Sequence, residues 1–389
     1  MEKKKILYFH ASADLYGSDY VLLCLIKGLD KTKFDPIVIL PYKGRLCEEF
    51  DKHSINYRIY DIPVLRRSVL TFRGIIVYIL LNISFFFAIS RLIRKEKIDI
   101  LHTNTSAIWM GGFISWIFRK KHIWQVMELV EEPKIVSYLI CKIVGIFSTK
   151  VFTISVAVND FFVKRNKRRI DKFEVLYHGV DLNVYNLNSN NGQKVRADLN
   201  ITPDTILVGM AGRINSWKGH DIFIRSIPLV TNNLISGQRI HFFMLGDCFK
   251  GQEHFEIELK ELITSLNVAD NLTFLGFQDN FQDWVAASDI FVLPSKLPEP
   301  NATITIAAMT MKKPLIATQI GGTVEAVINE ETGILIPPND ENALAEKIIY
   351  LVENKNKISE YGRKGELRAR NIFSIQNYCD RIVSEYLKG

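Results

Sequence analysis

Short apolar runs recur along this chain, and the gaps between them are long enough to hold helices. They fall at 6–9, 37–40, 98–102, 123–126, 151–155 and 175–177, then at 206–210, 240–245, 272–275, 290–293, 315–317 and 334–336. Strands that are apolar throughout, rather than alternating, are covered on both faces, and helical crossovers between them give parallel sheets. One sheet rarely holds a dozen strands, so the pattern predicts an α/β chain of two doubly wound domains. The polar, turn-rich stretch 187–193 marks a boundary. We expect a first domain over 1–185, a second over 186–370, and a C-terminal segment 371–389 that carries a last helix at 375–388. Ligands of such sheets bind at the carboxyl ends of the strands, which predicts a site in a cleft between the two domains.

A hydrophobic fraction of 48% over 389 residues excludes a disordered or fibrous chain. Cys24, Cys47, Cys141, Cys248 and Cys379 are scattered without metal-like spacing, so reduced thiols and a cytoplasmic location are expected. The apolar run after Lys5 is too short for a signal peptide and reads as a first core strand. Residues 75–89 form the longest apolar stretch, interrupted by Asn82 and Ser84 and flanked by Arg73 and Arg91. That stretch falls short of the roughly 20 residues of a bilayer span. A buried amphipathic helix is the expected reading, with a helix resting on a membrane surface as the alternative.

The formal charge of +7 is concentrated. Lys164, Arg165, Lys167, Arg168 and Arg169 form one dense run, and Arg66 and Arg67 with Arg91, Arg94, Lys95 and Lys97 form another. Such patches attract anionic lipid, or else are simply solvated faces. No nucleic-acid recognition motif accompanies them, so nucleic acid is not an expected partner.

Chemistry concentrates in the second half. Val208-Gly-Met-Ala-Gly-Arg-Ile-Asn-Ser-Trp-Lys-Gly219 reads as a strand, a glycine turn and the start of a helix. Arg213 offers a forked guanidinium and Lys218 a point charge, both suited to phosphate oxygens, while Gly212 and Gly219 let backbone amides approach an anion. Glu299 precedes Pro300, which keeps it out of helical geometry; a helix then opens at Asn301, Ala302 and Thr303, whose free amides suit phosphate or sugar oxygens. In the first half, Gly17 follows the first strand and can pass under a phosphate, or can serve a tight turn. His10 and His102 end strands that are expected to face the cleft; each is equally well read as a satisfied core histidine.

These motifs together resemble the retaining GT-B glycosyltransferases of the large family, family 4 in type, that includes sucrose synthase and bacterial mannosyl- and glucosyltransferases. The resemblance covers nearly the whole chain. It rests on His178-Gly-Val-Asp181, Gly212-Arg213 with Lys218-Gly219, Leu245-Gly-Asp247, Phe274-Leu-Gly276, Ser288-Asp-Ile-Phe-Val-Leu-Pro-Ser295, Glu299-Pro300, Gly321-Gly322 with Glu325, and Gly333 with Pro337. It implies two Rossmann-like domains, with a C-terminal helix crossing back to the first. It also implies that a nucleotide-diphosphate sugar is held mainly by the second domain. Arg213 and Lys218 would hold the diphosphate, Glu299 the donor sugar hydroxyls, the amides of Thr303 and Ile304 a phosphate, and Gly276 and Phe277 the base, with Gly17 closing over the donor. No metal or other cofactor is implied, and the chain has no Asp-x-Asp pair.

Two departures stand out. Ala307 occupies the place of the family's second glutamate, which grips the ribose; Thr303, one turn earlier, is a partial substitute. Gln125 and Met127 stand where many relatives carry a histidine, leaving Glu128 as an acceptor-side candidate or as an ordinary surface glutamate beside Glu131 and Glu132. The expected function is metal-independent, retaining transfer from a nucleotide sugar to a glycan or lipid-linked acceptor of surface-polysaccharide assembly. The expected setting is cytoplasmic, with peripheral contact to an anionic membrane face. A non-catalytic GT-B subunit remains open as a rival, because of Ala307 and Met127. So does a GT-B phosphorylase or epimerase.

Overall fold

The computed structural model describes residues 3–388 apart from 67, 68, 70, 130–132, 190, 236 and 300–302. The chain forms two compact units, Met1–His178 with Ile375–Gly389, and Gly179–Ser374. The crossings lie at 178/179 and 374/375, beside the 185/186 and 370/371 read from sequence. Val180 and Ser374 pair in a parallel bridge that gathers both crossings into the second unit. The polar stretch at 187–193 also belongs there, since the Asn191 amide donates to Asp283 at 2.9 Å.

The first unit alternates β1 (Lys4–Phe9), α1 (Gly17–Lys27), β2 (Phe34–Leu40), α2 (Arg45–Lys52), β3 (Asn56–Ile59), α3 (Phe72–Glu96), β4 (Ile100–Thr103), α4 (Met110–Ile117), β5 (Lys121–Val126), α5 (Lys134–Phe147), β6 (Lys150–Thr153), α6 (Val156–Val163) and β7 (Phe173–Val175). Its sheet runs β3-β2-β1-β4-β5-β6-β7, parallel throughout. Core strands β1 and β4 are buried almost end to end, as their unbroken apolar runs require. The edge strand β3 reads Asn-Tyr-Arg-Ile, half exposed, and gives no apolar signal in the sequence.

The second unit follows with α7 (Gly192–Asp198), β8 (Thr205–Ala211), α8 (His220–Thr231), β9 (Arg239–Leu245), α9 (His254–Ser265), β10 (Leu272–Leu275), α10 (Phe281–Ala287), β11 (Ile290–Leu293), α11 (Thr303–Thr310), β12 (Leu315–Thr318), α12 (Thr323–Ala326), β13 (Gly333–Ile336), α13 (Glu341–Glu353) and α14 (Lys355–Ile372). Its parallel sheet runs β10-β9-β8-β11-β12-β13. Each sheet reverses its strand order once near its middle, between β1 and β4 and between β8 and β11. In doubly wound folds that reversal opens the crevice where ligands sit.

The C-terminal helix α15 (Ile375–Leu387) packs on the first unit. Arg381 forks onto Glu174 at 2.7 and 2.6 Å, and Lys4 donates to the Tyr386 carbonyl at 2.9 Å. The Tyr386 hydroxyl reaches Tyr8 at 2.9 Å and His102 Nδ1 at 2.6 Å, and Tyr378 donates to Gln125. This overturns the cleft-facing role expected of His102. The residue lies inside β4, fully buried and stacked on Tyr8, because α15 covers that face of the sheet.

Helix α3 corrects a second expectation. It runs 25 residues rather than 15, from a Thr71 side-chain cap to a left-handed Lys97, and is not a buried helix. Asn82, Phe85, Ile89, Leu92 and Ile93 pack inward, but Phe72, Ile76, Leu80, Ile83 and Phe87 face solvent. Among the described residues it is the one helix long and apolar enough to cross a membrane, with a mean hydropathy of 2.1 over a window only 28% buried. Its C-terminal half lies in the core of its own unit.

Burial holds His102 and His122 neutral, pushing the pKa of each down to about 3. Between about 6.5 and 3 the unfolded chain binds protons that the folded chain refuses, so stability is lost as pH is lowered across that window. The melting temperature should decline from pH 7 to pH 4, and less steeply in His102→Gln; parallel slopes would contradict this account.

Candidate active site

Strand β8 delivers the chain to the reversal point of the second sheet, where the turn 212–219 folds back on β11. The Asn215 carboxamide accepts from the amides of Trp217 at 3.1 Å and Lys218 at 3.0 Å, fixing the turn. Lys296 donates its amide to the Trp217 carbonyl at 2.7 Å, tying the turn to the loop after β11. Gly219 opens α8 in the left-handed region at φ 75°; a Cβ there would lie 1.9 Å from the Pro294 carbonyl oxygen, so only glycine fits.

This fold brings Lys218 and Glu299 together. The Lys218 ammonium donates to Glu299 Oε2 and the Ser295 hydroxyl to Oε1, with the carboxylate 6% exposed. The Glu299 carbonyl accepts from the Gly322 amide at 2.6 Å. Gly321, at φ 58°, lies so close that a Cβ would sit 2.4 Å from that same oxygen. Arg213 stands at the start of the turn, its guanidinium 3.8 Å above the ring centre of Phe249. Stacking fixes the plane of the guanidinium fork, whose N–H donors lie along its edge. Phe249 escaped the sequence reading; an aromatic four residues past a strand that ends in Leu245 carries no signal by itself.

Thr303 and Ile304 form the first turn of α11, half buried, while Ala307 is wholly buried one turn on. Asn301 and Ala302 lie outside the described residues. Gly276 is exposed and Phe277 half buried at the end of β10. Two strand spacings separate β10 from β8, about 10 Å across the carboxyl edge of the sheet.

The first unit has its own cluster at its reversal point. His10, just past β1, donates from Nε2 to Asp19 Oδ1 at 2.5 Å, and its Nδ1 faces the Asn104 amide nitrogen at 3.1 Å. An amide nitrogen only donates, so Nδ1 accepts and the proton lies on Nε2. Asp19 also accepts from the Ser12 hydroxyl and the Tyr16 amide, both at 3.1 Å. Burial alone would raise the pKa of this carboxyl; the bonds and charge of His10 and its neighbours hold it below the ordinary range. His10 is thus a buried positioning group rather than a surface contact. Asp19 was missed, although an acid in the first turn of a helix is a legible capping signal. Gly17 is the first residue of α1, and the left-handed position of its loop is Leu15, at φ 65°.

Glu128 is neither an idle surface residue nor a free carboxylate. Oε1 accepts from the Thr105 hydroxyl at 2.5 Å and from the Ser106 amide and hydroxyl at 2.5 and 2.8 Å, which pins the turn that carries Asn104. Glu131 and Glu132 lie outside the described residues. No group of three His, Cys, Asp or Glu side chains placed to hold a metal occurs among the described residues.

Arg213 and Lys218 thus share one turn at the strand-order reversal of the second sheet, on a fold of two parallel-sheet units. Residues 192–368 match the family described as glycosyl transferases group 1, and residues 17–184 match glycosyltransferase family 4. A UDP-Gal:alpha-D-GlcNAc-diphosphoundecaprenol alpha-1,3-galactosyltransferase of Escherichia coli is 26% identical over 99% of this chain and 97% of its own. The lipopolysaccharide core mannosyltransferase LpsB of Rhizobium meliloti is 28% identical over 54% of this chain, and that match spans only 60% of LpsB. Anabaena HepE, solved with UDP and glucose, superposes with a TM-score of 0.82 over 98% of this chain and 99% of its own at 22% identity. With the fold, these matches identify the chain as a glycosyltransferase of GT-B architecture.

Gly321→Ala forces a methyl against the Glu299 backbone and should lower stability in urea by about 1–3 kcal/mol. Gly251→Ala, also left-handed but with open space around it, should cost less. Equal losses would show that the contact at Glu299 does not constrain the loop.

Proposed function

We propose that the chain transfers a hexosyl group, with retention, from a UDP-linked sugar to a lipid-linked or glycan intermediate of surface-polysaccharide assembly. The observation that carries this reading is the convergence of Arg213, Lys218 and Glu299 on the ends of β8 and β11. The diphosphate meets Arg213 and Lys218, and Lys218 can keep Glu299 while donating to phosphate, since an ammonium carries three N–H groups. The sugar hydroxyls then meet Glu299, the α11 amides a phosphate, and the base the end of β10. Uridine is favoured by the UDP held in HepE and the UDP-Gal used by the E. coli relative.

As the bond from the anomeric carbon to the diphosphate breaks, its electron pair moves onto the leaving oxygen. Arg213 and Lys218 stabilise that charge, which is the main barrier-lowering term. The acceptor hydroxyl bonds to the same face of the carbon and passes its proton to the departing phosphate, as the front-side route of the resembled family implies. Metal is not needed on this reading, because two fixed cations already face the leaving group. Reaction at the cytoplasmic face of the cell membrane fits a lipid-linked acceptor of the kind named for the E. coli relative.

Arg213→Ala and Lys218→Ala should each lower kcat by about 10²–10³; Lys218→Ala should also lower the melting temperature, because it strands the nearly buried Glu299 carboxylate. Wild-type rates in both would place the leaving group elsewhere. UDP should raise the melting temperature of the parent protein more than GDP does, because a ligand bound only by the native state stabilises it. NMR of the product should show the donor's anomeric configuration, and inversion would refute the mechanism.

A further inference from the structure

A continuous apolar face of the first unit is exposed among the described residues, and its border is cationic. Along α3, Phe72, Ile76, Leu80, Ile83, Phe87 and Arg91 succeed one another at steps of three and four, one outward stripe of the helix. The first two turns stand nearly clear of the unit, with Ile75, Val77 and Ile79 also exposed. The stripe continues across neighbouring helices through ring contacts: Phe86 to Phe113 at 6.2 Å, Phe113 to Trp116 at 6.2 Å and Trp116 to Phe147 at 5.7 Å. Trp116 is 61% exposed, and on α5 Ile135, Tyr138 and Leu139 are open to solvent.

Charge decides what covers this face. Helices α4 and α5 contain no acid, and the single acid of α3, Glu96, is taken by Arg58 at 2.6 Å. Arg73, Arg91, Arg119 and Lys134 are all exposed beside the apolar helices. The basic run after α6 docks at the end of α5, where Arg169 donates to the Gly145 and Ile146 carbonyls at 3.4 and 3.3 Å. That contact leaves Lys164, Lys167 and Arg168 exposed. A second copy placed symmetrically on this face would set the exposed Arg and Lys of these helices against one another, with no acid of α3, α4 or α5 left to answer them. An apolar stripe with exposed Trp and Tyr, bordered by cations, suits the headgroup boundary of a bilayer instead.

We propose that this face of the first unit docks on an anionic lipid bilayer, with the first turns of α3 entering the interface and the Arg and Lys border meeting lipid phosphates. The geometry is that of a helix lying on the membrane, since Phe85, Ile89, Leu92 and Ile93 hold the far side of α3 in the core of its unit. Docking of this kind reaches roughly 5–10 Å into the acyl boundary. Each exposed cation adds about fivefold in lipid affinity. The inference is independent of which donor the second unit takes.

The test is co-sedimentation of the full chain with vesicles of phosphatidylcholine alone or with one-third phosphatidylglycerol, at low and high salt. The parent should pellet with anionic vesicles at low salt, at least tenfold more tightly than with neutral ones, and high salt should weaken it. Leu80→Glu with Phe87→Glu should lose at least tenfold while keeping its melting temperature, because both residues are exposed. A parent that stays in solution overturns the proposal, as does a double variant that still pellets. A concentration-dependent dimer that the double variant abolishes, without vesicle capture, assigns the face to a second copy and overturns it too. UDP-induced thermal stabilisation, read on the same samples, reports the donor site separately: a parent that takes UDP but ignores vesicles fails this proposal alone.

Discussion

Lys218 and Glu299, 81 positions apart, meet because two strands that are neighbours in the sheet are distant in the chain. Their ion pair is nearly buried, and a buried pair broken on one side costs roughly 3–5 kcal/mol because a charge is left stranded. Each partner therefore fixes the other. The turn 212–219 is held to the loop after β11, and that loop is held to Gly321 and Gly322. On the proposed reading, a diphosphate arriving at this point meets a cation already held in place by Glu299, so little reorganisation remains to be done when charge develops. Arg213 is prepared differently, by stacking on Phe249, which fixes the plane of its guanidinium.

The first unit solves the complementary problem with a buried anion. Asp19 is compensated by a histidine, a hydroxyl and a backbone amide rather than by a lysine or arginine. The proton on His10 Nε2 is set by Asn104, and Asn104 sits on a turn pinned by Glu128. Two carboxylates, of which only Glu128 was a candidate in the sequence, thus hold the loops after β1 and β4. Bonds to the ionised form keep Asp19 charged without exposing it, which makes the α1 entrance rigid where a lone glycine would leave it loose.

How much of this was legible depends on whether the signal was local. The core strands were, because burial on both faces writes an unbroken apolar run. The edge strand β3 was not, because an edge needs no such run and Asn-Tyr-Arg-Ile looks like loop. Arg213, Lys218 and Glu299 were found from turn chemistry and resemblance, but their mutual contact was not, since it depends on strand order. His102 misled for a related reason: the end of a strand predicts a cleft only until another helix covers it, and α15 arrives from 284 residues away. The exposure of α3 was equally hidden. Its composition is that of a core helix, and only the packing of Phe85, Ile89 and Leu92 reveals which stripe is left over.

Ala307 follows from the same packing logic and has a consequence for the proposed donor site. The inner run of α11, from Thr305 to Met309, is buried without a break, so a carboxylate at 307 would need a partner to offset its desolvation. The chain instead places a methyl there and a half-buried Thr303 one turn nearer the helix start. On the proposed reading, a charged hydrogen bond to the ribose, worth about 1.5–3 kcal/mol, is replaced by a neutral one of about 1 kcal/mol. Donor recognition then leans more heavily on the phosphate cations, which act on any nucleoside diphosphate and weaken as salt rises. Selectivity among bases has to come from the end of β10, around Phe277, rather than from the sugar between them.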